Sequence, residues 1–130
     1  MAAALAVRRH VGNDSYLALT RQMFENVDQI RVAIAGIDGI RVLGDSQYHL
    51  LAMAPDPEAE RTIDIFALAD ALGTRGWFHD RQGPPDSIHM TVSNSNTGAI
   101  DQYVKDLAEC ADEVAGTRTD DRSTNYAGTE

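Results

Sequence analysis

Residues 73–92, GTRGWFHDRQGPPDSIHMTV, constrain the fold more than any other stretch of the chain. A helical pattern ends at Gly73, and Pro84-Pro85 then imposes an extended or turn conformation, because proline fixes φ and disfavours helix in the preceding residue. After the prolines, Ile88, Met90 and Val92 alternate with polar residues. This period of two predicts a strand that buries one face and turns its polar face towards a ligand site.

Helical and extended patterns flank this stretch on both sides. Apolar periodicity and capping residues predict helices over residues 2–11, from 14 or 15 to about 35, over 64–72, and from 97 or 101 onward. Strands are predicted over residues 40–43 and 48–54, from 77 onward as a short piece, and over 87–92. The order of the elements that follow the first helix in the sequence predicts an α+β two-layer sandwich with a mostly antiparallel four-stranded sheet and helices on one face.

The length of 130 residues predicts one domain with a segment attached at each end. We expect residues 1–12 to form a helical connector that lacks a packing partner within the chain. Residues 13–116 hold the alternating elements and form the small α/β domain. Residues 117–130 are polar and without periodicity, which predicts a disordered tail.

Charge and cysteine content narrow the class of protein. The net charge of −9 argues against nucleic acid and anionic membranes as partners, because both require a basic surface. No apolar run is long enough to span a bilayer, so we expect no membrane span. The single cysteine, Cys110, allows no internal disulfide and fits the cytoplasm. It falls on the apolar side of a helical pattern, which indicates a buried, inert thiol.

The chain has four histidines, and none has the spacing of a metal ligand, so we expect no metal site. His89 is the strongest candidate for a functional role, because it lies on the polar side of the predicted strand and an imidazole titrates near neutral pH. The alternative is a histidine that is hydrogen-bonded under a loop or at a subunit contact. His79 and Asp80 are adjacent, and neighbours on a strand point to opposite faces, which argues against a direct pair.

Residues 93–98, SNSNTG, precede the last predicted helix and are rich in hydrogen-bond donors. Such a loop could hold an anion at a helix N-terminus. The interpretation that we favour is a plain capping loop.

The runs at residues 64–92 and 100–114 together resemble the C-terminal part of sphingosine-1-phosphate lyases, within the group II pyridoxal-phosphate decarboxylases of fold type I. Residues 12–34 and 36–45 resemble the long helix and first strand of the same small domain, so the likeness covers about residues 2–114. The features that carry it are Gly76-Trp77, Gln82 with Pro84-Pro85 ahead of Ser87-Ile88-His89, Asp101-Gln102, and Lys105-Asp106-Leu107.

The resemblance implies a parent enzyme that uses pyridoxal phosphate as an electron sink. That enzyme would cleave a carbon–carbon bond in a phosphorylated amino alcohol, or decarboxylate an amino acid. In this family the cofactor lysine follows a histidine in a large domain upstream, whereas the one lysine here is Lys105, in the last helix. The chain is then a C-terminal domain fragment that is not catalytic alone and binds no cofactor itself. Its partner is the missing large domain or a second copy, and we expect a homodimer.

The resemblance also implies which residues face the substrate, namely His89, Thr91 and Gln82. Related decarboxylases place a basic residue for the substrate carboxylate at about this strand. His89 and Thr91 stand there instead, which favours a lyase substrate that lacks a carboxylate.

Two other functions remain open on the sequence alone. The first is a free-standing small-molecule-binding or regulatory α/β module, in which residues 93–98 matter more than His89. The second is a hydrolase that uses His79 or His89, although no nucleophile is arranged beside either histidine.

Overall fold

The computed structural model describes residues 2–45 and 48–127. Its helices are α1 (Ala2–Val11), α2 (Asn13–Ala35), α3 (Ile65–Thr74) and α4 (Ile100–Val114), with a 3₁₀ turn (Asn94–Ala99) directly before α4. Its strands are β1 (Ile40–Val42), β2 (Leu50–Pro55), β3 (Asp80–Gly83), β4 (Ser87–Thr91) and β5 (Tyr126–Ala127).

The strands form a single sheet in the order β1-β2-β4-β3-β5. The first four pair antiparallel, and the two-residue β5 pairs parallel with β3. In this register Ile88 lies opposite Met53 on β2, while His89 lies between Ala52 and Asp80. Because alternate residues of a strand point to opposite faces, Ile88 and His89 belong to different faces of the sheet.

Helices α2, α3 and α4 cover the face of the sheet that carries Ile88. Their apolar stripes and that face form one core, which fixes the sheet relative to the helices. Its fully buried side chains include Ile30 and Ile34 from α2, Leu51, Met53 and Ile88 from the sheet, Phe66, Leu68 and Leu72 from α3, and Leu107 and Cys110 from α4. The predicted α+β two-layer sandwich with a mostly antiparallel sheet is therefore confirmed.

Cys110 illustrates how the helical pattern translated into burial. It is fully buried in the core, and burial raises the pKa of its thiol because the charged thiolate is poorly solvated there. The predicted buried thiol is confirmed.

Among the described residues, no helix combines the length and the apolar character that crossing a bilayer requires.

The strand predicted to begin at Trp77 begins instead at Asp80. Trp77 and His79 direct their side chains to α4, where they bond Asp106 and Tyr103. Residues 77–79 are therefore held by side-chain contacts with a helix, which period-two alternation in the sequence does not reveal.

The C-terminal segment (residues 117–127) also differs from the predicted disordered tail, because the structure lays it against α3 and β3. Arg122 forms ion pairs with Asp64 and Asp86, and the Asn125 N–H donates to the Arg81 carbonyl at 2.8 Å. Ion pairs and backbone hydrogen bonds hold this segment in place. Such contacts cannot be predicted from the spacing of apolar residues in the sequence. Residues 128–130 of the predicted tail lie outside the described residues.

Gly39, in the turn between α2 and β1, gives a test of this packing. Its φ of +104° disfavours any L side chain, and a Cβ there would lie 2.9 Å from the Arg61 carbonyl oxygen and the Ile63 side chain. We expect Gly39→Ala to lower the free energy of unfolding by about 1–3 kcal/mol in denaturant titrations.

The matched control is Gly73→Ala in α3, where a Cβ would meet nothing within 4 Å. Alanine favours helix over glycine, so this change should stabilise the protein by about 0.5–1 kcal/mol. Equal effects of the two substitutions would contradict the packing described around Gly39.

Candidate functional site

A cleft of about 480 Å³ opens where β3 begins and β4 ends, between the sheet and α4. One part of its wall is aromatic and apolar, and the other part carries polar side chains. The apolar wall includes Trp77, Phe78, Met90, Ile100 and Tyr103, and the polar wall includes His79, Asp80, His89, Thr91, Asn96 and Asn125.

The charges of the cleft decide which ligands it can take by itself. No lysine or arginine is among its lining residues in the described part of the chain, and Asp80 is the acidic one. A phosphate or carboxylate group would find no lysine or arginine partner among the described lining residues, whereas hydroxyl, amide or amine groups would find acceptors and donors. The cleft alone therefore suits neutral or cationic polar groups.

His79 contributes a polar contact to this wall. Its Nε2 lies 2.9 Å from the Tyr103 hydroxyl, and the two rings are 5.7 Å apart between centroids. Burial lowers the pKa of His79 to about 4 and raises the pKa of Tyr103, so both groups are neutral at pH 7. Between the two neutral groups, the hydrogen bond runs in either direction, depending on which ring nitrogen carries the imidazole proton.

The Nδ1 atom of His79 is also buried. Among the described residues it makes no hydrogen bond of ordinary geometry, although the Trp77 backbone is close enough to favour the charged ring slightly. Burial outweighs that effect. The neutral His79–Tyr103 pair is therefore a fixed part of the wall, not a mobile acid or base.

Trp77 is fixed by a second polar contact with α4. Its indole N–H donates to Asp106 at 2.7 Å, and Gln102 and Arg75 donate to the same carboxylate at 2.9 and 3.2 Å. These donors, the indole first, lower the pKa of Asp106 despite the cost of burial. The carboxylate is thus ionised, with several donors to offset its desolvation.

The burial of Asp106 is a feature that the sequence analysis did not reveal. A charged residue is not part of the apolar spacing of α4, yet Asp106 is only 8% exposed. The pattern counts apolar residues only, so it cannot recognise a carboxylate buried by its donors. The available signal was Trp77, because a buried indole N–H requires an acceptor.

Two of the three predicted substrate-facing residues meet at the cleft. His89 and Thr91 are both among its lining residues, and strand alternation puts their side chains on one face of β4, opposite the face that α4 covers. Gln82 shares that face of the sheet but lies opposite Ser87, outside the residues that line the cleft. That these side chains face a substrate stays a prediction.

The antiparallel pairing of β3 and β4 brings Asp80 next to His89, which the sequence analysis did not predict. Asp80 lies directly across from His89, so both side chains are on the same face of the sheet, and both residues are among those that line the cleft. His79, the chain neighbour of Asp80, turns to Tyr103 on α4 instead. The expected divergence of His79 and Asp80 is therefore observed, and the carboxylate near His89 comes from a strand pairing that no local pattern indicates.

Residues 93–98 use their polar groups among themselves and with α2. The Ser93 N–H donates to the Asn96 side chain at 2.8 Å, and Asn26, buried in α2, donates to Thr97 Oγ1 at 2.9 Å. A capping box between Ser93 and Asn96 closes the turn. This geometry favours the capping interpretation over an anion site. No group of three or more histidine, cysteine or acidic residues within the described ranges is arranged to hold a metal ion.

Sequence comparison relates the chain to one kind of enzyme. It is 28% identical over 116 residues to the sphingosine-1-phosphate lyase of Drosophila melanogaster, covering 88% of this chain and 20% of the relative. The rice enzyme of the same name is 27% identical over 114 residues, with 88% and 20% covered. The chain thus spans about one fifth of the length of the curated relatives it matches. No protein-family profile matches it.

Comparison of structures gives the same relationship. The sphingosine-1-phosphate lyase of Burkholderia pseudomallei superposes with a TM-score of 0.75 at 29% identity, covering 84% of this chain and 24% of that one. The glutamate decarboxylase of Lactobacillus brevis superposes with a TM-score of 0.74 over 88% of this chain and 28% of its own, and at 13% identity it shows the fold alone. The chain is similar to the C-terminal domain of sphingosine-1-phosphate lyases, as the sequence resemblance predicted.

The buried His79 predicts a specific dependence of stability on pH. Its pKa of about 4 in the folded protein lies below the ordinary value of 6.5, so the unfolded chain takes up a proton first as the pH falls. Its contribution is therefore present above pH 6.5 and is lost as the pH falls towards 4. From pH 7 to 4.5, we expect His79 to account for a loss of about 2 kcal/mol in unfolding free energy.

The measurement is denaturant unfolding at both pH values for the wild type and for His79→Gln, which removes the titrating group. His10→Gln, which replaces an exposed histidine on α1, is the matched control and should keep the wild-type pH dependence. If His79→Gln keeps that dependence as well, His79 is not buried as a neutral ring.

Proposed function

We propose that this chain is the small C-terminal domain of a pyridoxal-phosphate-dependent carbon–carbon lyase, similar to sphingosine-1-phosphate lyase, and that it is inactive alone. The observation that carries the proposal is agreement of fold and sequence with such lyases at 29% identity over 84% of the chain. The decarboxylase alternative rests on fold alone, since the glutamate decarboxylase is 13% identical. A cytoplasmic location and a homodimer belong to the same proposal.

The residues of this chain do not fit pyridoxal phosphate. The cofactor requires a lysine for its Schiff base and partners for its phosphate. The one lysine, Lys105, has a side chain that is 67% exposed on α4 and lies 3.8 Å from Glu109, outside the cleft. We therefore assign cofactor binding to a large domain of a longer protein and derive no reaction step from this chain.

The contribution of this domain is then to position substrate and limit water access. His89 and Thr91 would contact a polar substrate group that reaches the sheet face away from α4, with Asp80 beside His89. The neutral His79–Tyr103 pair would supply a fixed, uncharged wall. A cleft without lysine or arginine among its described lining residues favours a substrate that presents no carboxylate to this domain, which supports a lyase over an amino-acid decarboxylase.

The N-terminal helices offer the surface for the large domain. Residues 3–10 of α1 are all exposed, and apolar side chains stand out along α1 and the first half of α2. They are Leu5, Val7, Tyr16, Leu17 and Leu19, each between 41% and 54% exposed. Several exposed apolar side chains on two consecutive helices indicate a missing contact. Because the relatives are about five times longer, we assign this surface to their remaining part.

The coding sequence directly upstream of this chain tests the proposal. We expect it to encode, in frame or in an adjacent gene, a domain with a His-Lys pair. The two parts produced together should show internal-aldimine absorbance and release aldehyde from sphingosine 1-phosphate, while this chain alone should do neither. A borohydride-trapped adduct at Lys105 together with turnover by the isolated chain would overturn the proposal.

Leu17→Glu tests the docking surface in the same assembly. Leu17 is 54% exposed in the isolated chain, so the change should alter its free energy of unfolding by less than about 0.5 kcal/mol. In the assembly, the buried charge should weaken association at least tenfold in a titration of the large domain. The matched control is Val32→Glu, on the same helix and 73% exposed, which should leave association unchanged.

Other outcomes favour the alternative function. If no cofactor domain is encoded nearby and calorimetry detects a specific small ligand bound to the chain alone, the free-standing binding module is the better description. The cleft would then be its ligand site.

A further inference from the structure

We propose that the C-terminal segment (residues 117–127) is a removable wall of the cleft and that Arg122 is the positioning residue that holds it in place. The inference rests on the proposed function only in taking the cleft as the functional site. The polar residue that the segment contributes to the cleft is Asn125.

Asn125 is attached to the outer edge of β3 by two reciprocal hydrogen bonds. Its N–H donates to the Arg81 carbonyl at 2.8 Å, and its side-chain oxygen accepts from the Arg81 N–H at 3.0 Å. One residue of the segment therefore satisfies both backbone groups of Arg81 on the side away from β4. If the segment leaves, the cleft loses Asn125 and the strand edge is open to another chain.

Arg122 lies three residues before Asn125 in a site with acidic and aromatic walls. Its guanidinium donates to both oxygens of Asp64 at 2.8 and 2.6 Å and also contacts Asp86. The guanidinium carbon stands 4.4 Å from the centre of the Phe66 ring. One guanidinium nitrogen, Nη1, donates to both Asp64 oxygens while Nη2 contacts Asp86, so the group bridges two carboxylates and stacks on an aromatic ring, which uses the shape of arginine as well as its charge.

Asp64 couples this contact to α3. Its side chain caps that helix by accepting from the Phe66 N–H at 3.0 Å, and it does so while it pairs with Arg122. Burial acts to raise the pKa of Asp64, but the hydrogen bond from Arg122 and the other donors hold it below the ordinary value. The carboxylate is thus charged and oriented while Arg122 is bound to it.

Arg81 contacts the same ring and adds to the attachment. Its guanidinium lies 5.2 Å from the Phe66 centroid, contacts Asp70, and donates to the Asp121 carbonyl at 3.0 Å. By contrast, no residue from 117 to 125 is buried in the core. Charged contacts therefore hold the segment, and a region with few apolar contacts opens at a lower free energy than the core.

Amide hydrogen exchange of the whole chain tests the inference without any cofactor or ligand. The reporters are the Arg81 and Asn125 amides, which donate across the contact, and the Phe66 amide reports whether α3 keeps its cap. We expect Arg122→Gln to speed exchange at Arg81 and Asn125 at least tenfold and to leave core amides of α4 unchanged. Arg122→Lys keeps the positive charge but lacks the planar guanidinium. Its exchange rates at Arg81 and Asn125 should lie between those of the wild type and those of Arg122→Gln.

The matched control is Arg118→Gln, in the same segment. Arg118 is exposed and forms no ion pair among the described residues, so its loss should leave both reporter amides as protected as in the wild type. If Arg122→Gln leaves Arg81 and Asn125 protected, or if Arg118→Gln exposes them equally, Arg122 does not hold the segment.

If Arg122→Gln unfolds the whole domain, the α4 amides will also exchange faster. In that case the Asp86→Asn variant is used to test whether the Arg122 contacts hold the segment. It weakens one partner of Arg122 and leaves the Asp64 cap intact. A smaller rise in exchange confined to the two reporter amides supports the inference, and unchanged protection overturns it. None of these measurements involves pyridoxal phosphate, so a negative result leaves the proposed function untouched.

Discussion

The attachment of residues 77–79 to α4 is the contact on which the site depends. Trp77 bonds Asp106, and His79 bonds Tyr103, so two side chains on one short segment reach two positions on one helix. The Trp77 and Tyr103 rings also meet edge to face at 5.2 Å between centroids. The segment is thereby fixed between sheet and helix, and the cleft opens beside it. Without this attachment β3 would begin with no defined angle to α4.

The main elements of the fold followed from the sequence because each has a local signal. The period of two around Ile88 and the helical spacing through Ile30 and Ile34 describe faces that do enter the core. What the sequence could not show is how distant polar groups combine. Asp106 is buried because donors from Trp77, Arg75 and Gln102 surround it, and no pattern within α4 indicates that.

The candidate site was predictable to a similar extent. The alternation in β4 identified His89 and Thr91 as members of one polar face, and they share the cleft. Asp80 comes beside His89 through strand register, and Asn125 arrives from a segment without periodicity. Gln82 lies on the same sheet face as His89, as the sequence alternation predicts, but it does not line the cleft. Membership of a face is a local property, whereas membership of a cleft requires tertiary structure.

The use of arginine in this chain bears on how the cleft could serve a charged substrate. The chain has eleven lysine and arginine residues. Several of the arginines form ion pairs with acidic side chains within the described parts, among them Arg61, Arg75, Arg81 and Arg122. The strongest arrangement, Arg122 on Phe66 and Asp64, lies behind the cleft wall and not inside it. A guanidinium so engaged cannot turn to a phosphate without giving up its partners. Under the proposed function, the positive charge that a phosphorylated substrate requires must therefore come from the large domain, and this domain contributes shape and neutral hydrogen bonds.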